Sequence, residues 1–354
     1  MPPFLQFIVR RLFYALVSLV VITMVLYAGV MLTPPEARAR LYIPPGKGGE
    51  RATETTINIL IEKYHLDEPY LVQYGYWMRE LLTGSWGYSP TLRADVLDSL
   101  LHRTPATLEL AFFSLILLIP LGLANGLKAG WRPGGLFDGG FRSLAFLGTS
   151  MPPFILSMVL LSYLYVKLGW LDPGRLDVTT DLQLSRSGFV DYTGALTLDC
   201  LLNGRFDVFL KALKHLIMPV VTLSLYHWAT LGRITRATVM NERGKEYITA
   251  ARARGVREGR LVWRHALRAI LAPSLTAMAL SAASIVTGIF VVELIFGRTG
   301  VSEVIIISMR SYPDAPAALG FAVYSVLMVL GLMFVLDVVQ AALDPRVREE
   351  VLKA

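Results

Sequence analysis

The stretch LFYALVSLVVITMVLYAGVML, residues 12–32, contains no charged side chain and is apolar at most of its positions. A helix needs roughly 20 predominantly apolar residues to cross the hydrocarbon core of a bilayer, so this stretch predicts a transmembrane helix. The run is too long for the apolar part of a cleavable signal peptide, and it lacks a small-residue cleavage site. Residues 1–32 are therefore predicted to form the N-terminus and the first membrane span.

Five further apolar runs follow, at residues 105–128, 143–166, 216–232, 269–292 and 315–336. The run at 216–232 is the shortest, and it contains the polar His227. Composition agrees with a membrane protein, because 54% of the residues are hydrophobic and only 17% are charged, whereas soluble domains carry about 25% charged residues. The predicted fold is an all-α polytopic membrane protein with six transmembrane helices.

Basic residues indicate the orientation of these spans, because short cytoplasmic loops of membrane proteins carry an excess of Lys and Arg. With six spans, every basic cluster lies on the same side of the membrane, which predicts a cytoplasmic N-terminus and a cytoplasmic C-terminus. The clusters are Arg10 and Arg11; Lys128, Arg132 and Arg142; ten Lys/Arg within residues 233–268; and Arg346, Arg348 and Lys353. Topology thus explains the net charge of +7, and no nucleic-acid partner is expected.

The same topology divides the chain into an external region, a transmembrane domain and a short cytoplasmic tail. The external region carries eight Lys/Arg and nine Asp/Glu, and Ile57, Leu60, Ile61 and Tyr64 within it have the spacing of an amphipathic helix. The predicted bounds are 33–104 for the external region; 105–346 for the transmembrane domain, with an external loop at 169–215 and a cytoplasmic loop at 233–268; and 347–354 for the tail.

The cytoplasmic loop before the fifth span has a pattern of its own. Residues 246–254 are rich in good helix formers, and Gly255 follows where a helix needs a residue in the left-handed conformation. Ala250 and Ala251 are predicted to place small side chains on one face, which would let another protein approach closely. Residues 261–270 are amphipathic and lead into the span. Such a segment either transmits force from a soluble partner or anchors the loop at the membrane surface, and the pattern alone favours neither.

The stretch TAARARGVREGRLVWRHALRAIL, residues 249–271, resembles the "EAA" loop of bacterial ABC-importer permeases, in the dipeptide/oligopeptide/nickel subfamily. That loop usually has Glu before the two alanines and Ile-x-Leu-Pro further on. Here Thr249 and the block 265–268 take those places, as is usual in the peptide subfamily. The resemblance implies that an ATPase subunit grips this loop through Glu246, Tyr247, Ala250, Ala251, Gly255, His265, Leu267 and Arg268.

The resemblance extends over nearly the whole chain. Further stretches that look like the same family, in the same order, are FIVRRLFYALVSLVVITMVLY (7–27), KYHLDEPYLVQYGYWMRELLTGSWGYS (63–89), RTPATLELA (103–111), SMPPF (150–154) and LDPR (343–346). One departure follows Tyr312-Pro313, where the family usually continues to Gln-Gly just before the sixth span. The resemblance therefore identifies the subunit type, and leaves the outer loop before that span open.

The family's division of labour implies the partners of this chain. The chain has no GxxxxGK[ST] phosphate-binding loop, because Gly46-Lys47 lacks the upstream glycine and the following Ser/Thr, so ATP is expected on two partner ATPase subunits and no cofactor on this chain. The resemblance also implies a second homologous permease, an external solute-binding protein and a location in the cell membrane of a prokaryote. Peptides are the leading substrate class, and nickel complexes or oligosaccharides remain open.

Charged and polar groups near the spans are the remaining candidates for function. Glu109 is predicted in the first turns of the second span, where the helix dipole would stabilise it, with substrate contact as the alternative. Glu293 and Asp337 are predicted at span ends, paired with Arg298 and Arg346 respectively. No catalytic group or metal site is expected, since no two of these groups have metal-ligand spacing on a helix.

Two other classes of membrane protein fit the sequence less well. An ion-coupled secondary transporter should have carboxylates at the membrane midplane and an inverted repeat, whereas the acidic residues here are predicted at span ends. An intramembrane enzyme needs a nucleophile with its base, or a metal, and Ser157 and Ser162 have no His or Lys on a common face. The expected function is that of a non-catalytic transport subunit.

Overall fold

The computed structural model of the chain describes residues 3–40, 42–43, 54–310 and 314–343. The described part is mostly helical, with one small antiparallel hairpin in which Tyr88 pairs with Asp95 and Ser89 with Ala94. The elements are α1 (Pro3–Met31), α2 (Pro35–Arg40), α3 (Glu54–Lys63), α4 (Tyr70–Leu82), β1 (Tyr88–Ser89), β2 (Ala94–Asp95), α5 (Val96–Trp131), α6 (Leu136–Ser150), α7 (Pro153–Leu160, continued by a π-helical turn to Lys167), α8 (Val178–Arg186), α9 (Leu196–Leu202), α10 (Phe206–Arg243), α11 (Glu246–Ala253), α12 (Glu258–Arg260, continued by a π-helical turn to Ala266), α13 (Leu267–Phe296), α14 (Ser302–Arg310) and α15 (Ala315–Leu343).

Five of the described helices, α1, α5, α10, α13 and α15, are long and apolar enough to cross a membrane. The third predicted span, 143–166, is instead divided between α6 and α7, which meet at an angle of 99°. Counting this bent pair as one span gives up to six spans. The prediction of an all-α polytopic membrane protein is thus confirmed, while the placement of both termini in the cytoplasm stays a prediction.

The bend between α6 and α7 has a local cause in two consecutive prolines. Met151 precedes Pro152 and is extended, with φ −102° and ψ 111°, because the proline ring disfavours helical geometry in the residue before it. Pro152 is extended too, since it in turn precedes Pro153. Pro120 and Pro219 each lie within a continuous helix, so a proline pair breaks the chain where these single prolines do not.

Two helices extend well beyond the apolar runs that predicted them. The fourth span was predicted at 216–232, whereas α10 covers 38 residues from Phe206 to Arg243. The predicted boundary at residues 104/105 falls inside α5, which begins at Val96. Hydropathy detects only the part of a helix that needs an apolar surrounding, and polar turns that continue the helix outside it give no such signal.

The chain divides into two compact units, and each is described by itself. One unit comprises Ile8–Ala106 and Thr299–Gly331; the described residues of Met1–Phe7, Thr107–Arg298 and Leu332–Ala354 belong to the other. In the first unit, α3 is the amphipathic helix that the sequence predicted. Its Ile57 packs with Ala39 and Leu66 in a small apolar cluster. The buried Arg38 donates hydrogen bonds to Gln73 Oε1 at 2.8 Å and to the Leu66 carbonyl at 2.7 Å.

The same unit holds the start of α15 in place with one buried carboxylate. Asp314 Oδ1 accepts the backbone N–H of Ala317 at 3.1 Å, which caps the helix. Its Oδ2 accepts hydrogen bonds from the hydroxyls of Ser89 and Thr91, at 2.6 and 2.7 Å. The hairpin and α15 are therefore joined through Asp314. Tyr312-Pro313, where the family resemblance is interrupted, lies outside the described residues.

In the other unit, α5 and α10 approach each other backbone to backbone. Gly122, Gly126 and Gly130 recur every fourth residue on α5 and face α10. A Cβ atom added to Gly126 would lie 2.5 Å from the carbonyl oxygen of Gly232, and one added to Gly130 would lie 2.6 Å from that of Arg236. Small residues at this spacing allow close packing of membrane helices. This stripe of glycines was not predicted from the sequence.

This close approach predicts that Gly126→Ala destabilises the folded chain. The added methyl group meets a backbone atom, which cannot rotate away, so α5 and α10 must separate, at a cost of about 2 kcal/mol. The matched control is Gly140→Ala in α6, where no atom lies within 4 Å of an added Cβ and alanine favours the helix. Thermal unfolding of the purified protein in detergent checks both variants. Equal midpoints for the two would contradict this account of the contact.

Candidate functional site

The predicted helix of the cytoplasmic loop is present as α11, from Glu246 to Ala253. After it, α12 and a π-helical turn continue directly into α13, which begins at Leu267. The short helix is thus connected to a long membrane helix through the four residues 254–257, α12 and the π-helical turn, and the amphipathic residues 261–270 lead into that helix as predicted. Its role in contacting an ATPase stays a prediction.

Gly255 ends α11 in the geometry that the sequence predicted. Its φ is +79°, in the left-handed region. Its N–H donates to the Arg252 carbonyl at 2.9 Å, and the N–H of Val256 donates to the Ala251 carbonyl at 3.2 Å. These two bonds form a Schellman motif, which satisfies carbonyls at the end of the helix. No atom lies within 4 Å of a Cβ added to Gly255, so the glycine is required there by backbone conformation alone.

The two alanines of the loop lie on different sides of α11, which corrects the prediction that they share one exposed face. Ala251 is buried, with 1% of its surface exposed, whereas Ala250 is exposed. The reason is that successive residues of a helix point about 100° apart. Tyr247, one turn before Ala250, is also exposed. Ala250 and Tyr247 therefore form an accessible edge, and Ala251 belongs to the packed side.

The packed side of α11 joins a cluster that holds three long helices together, here called the anchor cluster. Ile248 and Ala251 of α11 contribute to it, and each is at most 1% exposed. The other buried members are Trp131 from the end of α5, Val239 of α10, Leu261, Val262 and Ala266 of the turn, and Ile270 of α13. α11 is therefore packed against α5, α10 and α13 at once.

Polar contacts connect the loop to the same helices. Glu258 accepts hydrogen bonds from Arg252 Nε at 2.7 Å and from the Trp131 indole N–H at 2.9 Å, which links α11 to the end of α5. The hydrogen bond from Arg252 is the main reason why the pKa of Glu258 lies below its ordinary value. Tyr247 donates its hydroxyl to Glu242 Oε2 at 2.6 Å. Burial, followed by this bond, raises the pKa of Tyr247 to about 12, so it remains a donor at neutral pH.

The remaining residues that the sequence singled out are divided between surface and interior. Glu246 and His265 are exposed, Leu267 is half-buried at the start of α13, and the side chain of Arg268 lies outside the described part. The residues that fix the loop, namely Ile248, Trp131 and Glu258, were not predicted from the sequence. The sequence did contain a signal for Ile248, because Ile248 and Ala251 are three residues apart, which places them on one face of a helix.

Glu109 lies in a buried ion cluster, and its predicted stabilisation by the helix dipole is wrong. Because α5 begins at Val96, Glu109 follows about three and a half turns later, beyond the first turn in which the dipole acts. Its carboxylate instead pairs with Arg298 at 3.3 Å and with Arg175 at 3.7 Å, and it accepts the backbone N–H of Thr197 at 2.7 Å. The cluster therefore joins the 169–215 segment to α5 and to Arg298, two residues after the end of α13.

Arg298 is fully enclosed in this cluster, with side-chain exposure of 2%. Burial lowers its pKa to about 10, against the opposing influence of Glu109 and Glu293, so the guanidinium remains charged at neutral pH. Glu293, predicted beside Arg298, also accepts the Thr107 hydroxyl at 2.6 Å in the interior. Asp337 was predicted to pair with Arg346, which lies outside the described residues. Within the described ranges, no group of three His, Cys, Asp or Glu side chains is placed to hold a metal.

The ion cluster predicts that Glu109→Leu costs about 3 kcal/mol of stability, because Arg298 is left buried with less opposing charge. The double variant Glu109→Leu/Arg298→Leu removes both buried charges and is expected to recover most of that loss. Thermal unfolding of wild type, both single variants and the double variant gives the coupling between the two residues. If the double variant loses as much stability as the two single variants lose together, Glu109 and Arg298 do not stabilise the fold as a direct pair.

Two protein-family models match this chain, and together they cover residues 4–349. The family model described as "Binding-protein-dependent transport system inner membrane component" matches residues 110–349. A second model, "Binding-prot-dependent transport system membrane comp, N-term", matches residues 4–111. Together the two matches include α5, α10, α13 and the loop with α11. The first alone covers more than half of the chain.

Curated relatives align with the chain almost from end to end. A dipeptide transport system permease protein of Alkalihalophilus pseudofirmus is 30% identical over 97% of this chain and 99% of its own length. A di/tripeptide transport system permease protein of Pseudomonas aeruginosa is 31% identical over 98% and 99%. An oligopeptide transport system permease protein of Bacillus subtilis is 28% identical over 96% and 98%. The chain belongs to the family of inner membrane components of binding-protein-dependent transport systems, and it is a membrane-spanning transport subunit.

Proposed function

We propose that this chain is a permease subunit of an ATP-driven peptide importer, moved by an ATPase subunit that docks on α11. One observation carries the proposal: α11 presents an exposed edge at Tyr247 and Ala250, while its other side is packed against α5, α10 and α13 through the anchor cluster. A partner that moves the exposed edge moves all three helices. An anchor that only rested on the membrane surface would need no such connection.

Peptides are the proposed solute, in accordance with the relatives, which are permease proteins of dipeptide, di/tripeptide and oligopeptide transport systems. Selection among peptides is assigned to an external solute-binding protein. Ion-coupled transport is the alternative, and it would need carboxylates free to bind and release ions. Glu109 is already paired with two arginines in the interior, which favours a structural role for it and disfavours this alternative.

In the proposed cycle, two ATPase subunits bind and hydrolyse ATP, and this chain supplies no nucleotide site. A second, homologous permease completes the pathway in the cell membrane of a prokaryote. Closure of the ATPases displaces α11 of each permease and shifts the pair between inward- and outward-facing states, whose populations depend on the nucleotide bound. Genes for the second permease, the ATPases and a binding protein beside this one would provide independent support.

Bulky replacement at the two alanines separates docking from folding. Ala250→Trp is expected to leave thermal stability unchanged, because Ala250 is exposed, and to reduce co-purification of the ATPase at least tenfold through steric exclusion. Ala251→Trp is expected to destabilise the chain by about 3 kcal/mol, because the ring cannot fit into the anchor cluster. Co-purification, thermal unfolding and ATP-dependent peptide uptake by the full complex in proteoliposomes check both.

The control for added bulk is Leu136→Trp, at a residue that is 99% exposed outside the loop. It should leave both stability and ATPase association as in the wild type. The proposal fails if Ala250→Trp retains the ATPase and couples hydrolysis to uptake normally. Unchanged stability of Ala251→Trp would instead show that the anchor cluster is not rigid.

Gly255 provides a test that involves no steric clash. Gly255→Ala is expected to weaken the end of α11 by about 1 kcal/mol, because an L-residue resists the left-handed conformation. Gly255→Asn should have a smaller effect, since asparagine tolerates that conformation better. We expect the ratio of the ATP hydrolysis rate to the peptide uptake rate, measured in proteoliposomes, to be lowest in the wild type. The ratio should be higher in Gly255→Asn and highest in Gly255→Ala. No gradation between Asn and Ala would contradict a conformational role for Gly255.

A further inference from the structure

A groove of about 800 Å³ lies between α6 and α10, apart from the anchor cluster and the ion cluster. Two kinds of side chain line it, cationic and apolar. The lining residues are Gly139, Arg142, Ser143, Phe146 and Leu147 of α6, with Arg233 and Arg236 of α10. None of these residues lies on α11 or in the anchor cluster, so the groove requires an explanation of its own.

The α6 side of the groove changes in character along the helix. Its residues recur at i, i+3, i+4, i+7 and i+8 from Gly139, which is a single helix face. The cation Arg142, the seventh residue of α6, comes first. Phe146 and Leu147 follow one turn later, and they are 68% and 58% exposed. Since α6 is half of a bent pair apolar enough to cross the membrane, the charged end lies nearer to the surface than the apolar end.

The arginines of the groove carry more charge than the protein neutralises. Arg236 is held by Asp138, which is buried, through hydrogen bonds of 2.5 and 2.8 Å. Arg142 attracts Asp138 only at longer range. Neither Arg142 nor Arg233 makes a hydrogen bond or ion pair with any residue in the described part of the chain. One carboxylate therefore faces three guanidinium groups, and two of these are available to an anionic ligand.

We propose that this groove binds an anionic phospholipid. The phosphate of the headgroup is held by Arg142 and Arg233, and an acyl chain lies along Phe146 and Leu147. Basic pockets between membrane helices on the cytoplasmic side bind anionic headgroups, and the short loops of this chain predict that side for α6. An apolar continuation beside the cations suits a lipid, whereas a free phosphate ion would gain nothing from it. The proposal depends on the orientation of α6, and not on peptide transport or ATPase docking.

Native mass spectrometry of the purified, delipidated importer complex tests the proposal, with phosphatidylglycerol and phosphatidylcholine as probes. Phosphatidylglycerol should bind one tight site that phosphatidylcholine does not occupy. Arg142→Gln and Arg233→Gln should each weaken that site about fivefold, and the double variant about twenty-five-fold. The matched control is Arg132→Gln, because Arg132 is an exposed arginine between α5 and α6 that does not line the groove. This variant should bind phosphatidylglycerol as the wild type does.

A steric variant keeps the test independent of charge. No atom lies within 4 Å of a Cβ added to Gly139, so Gly139→Leu should fill the groove without disturbing the fold and should also weaken phosphatidylglycerol binding at least fivefold. The proposal is overturned if both lipids bind equally, or if the arginine and glycine variants bind as tightly as the wild type. It is also overturned if inorganic phosphate alone occupies the site, or if the variants lose the second permease, which would make the groove a protein interface.

Discussion

The backbone approach of α5 to α10 is the contact on which the rest of the larger unit depends. It places the glycines of α5 so close to α10 that a Cβ added to Gly130 would lie 2.7 Å from the Cβ of Val239. Val239 is itself a member of the anchor cluster, as is Trp131 at the end of α5. The anchor cluster, into which Ile248 and Ala251 pack, therefore forms only while α5 and α10 are close together. The geometry of the candidate site consequently depends on how closely α5 packs against α10.

The same long helices connect this site to the buried ion cluster. Glu109 and Trp131 lie on one continuous helix, about 33 Å apart at 1.5 Å per residue, which is comparable to the thickness of the hydrocarbon core of a bilayer. α13 likewise extends from the anchor cluster at Ile270 to Glu293 beside Arg298. In the proposed cycle, a displacement of α11 would therefore reach the ion cluster as a movement of these helices. The 169–215 segment, held through Arg175 and Thr197, would follow that movement.

The sequence predicted the features that depend on composition or on local geometry. Apolar runs identified the membrane helices, and the position of Gly255 indicated the end of α11. Features that depend on which helices meet were not predictable in the same way. The glycine stripe becomes meaningful only when α10 lies against it, and Glu109 was misplaced because the polar turns before Pro105 gave no sign that they belong to the helix. The burial of Ala251 likewise follows from Trp131 and Val239, which are distant in sequence.

The short length of α11 explains why its surroundings matter so much. A helix of eight residues is not stable in water by itself, because nucleation costs more than so few hydrogen bonds return. Its stability must come from the anchor cluster on one side and from the Schellman motif at Gly255. A partner that docks on the exposed edge therefore cannot move α11 without also exerting force on the helices that stabilise it. Either the three helices move with α11, or α11 unfolds, and the buried packing of Ile248 and Ala251 favours the first outcome.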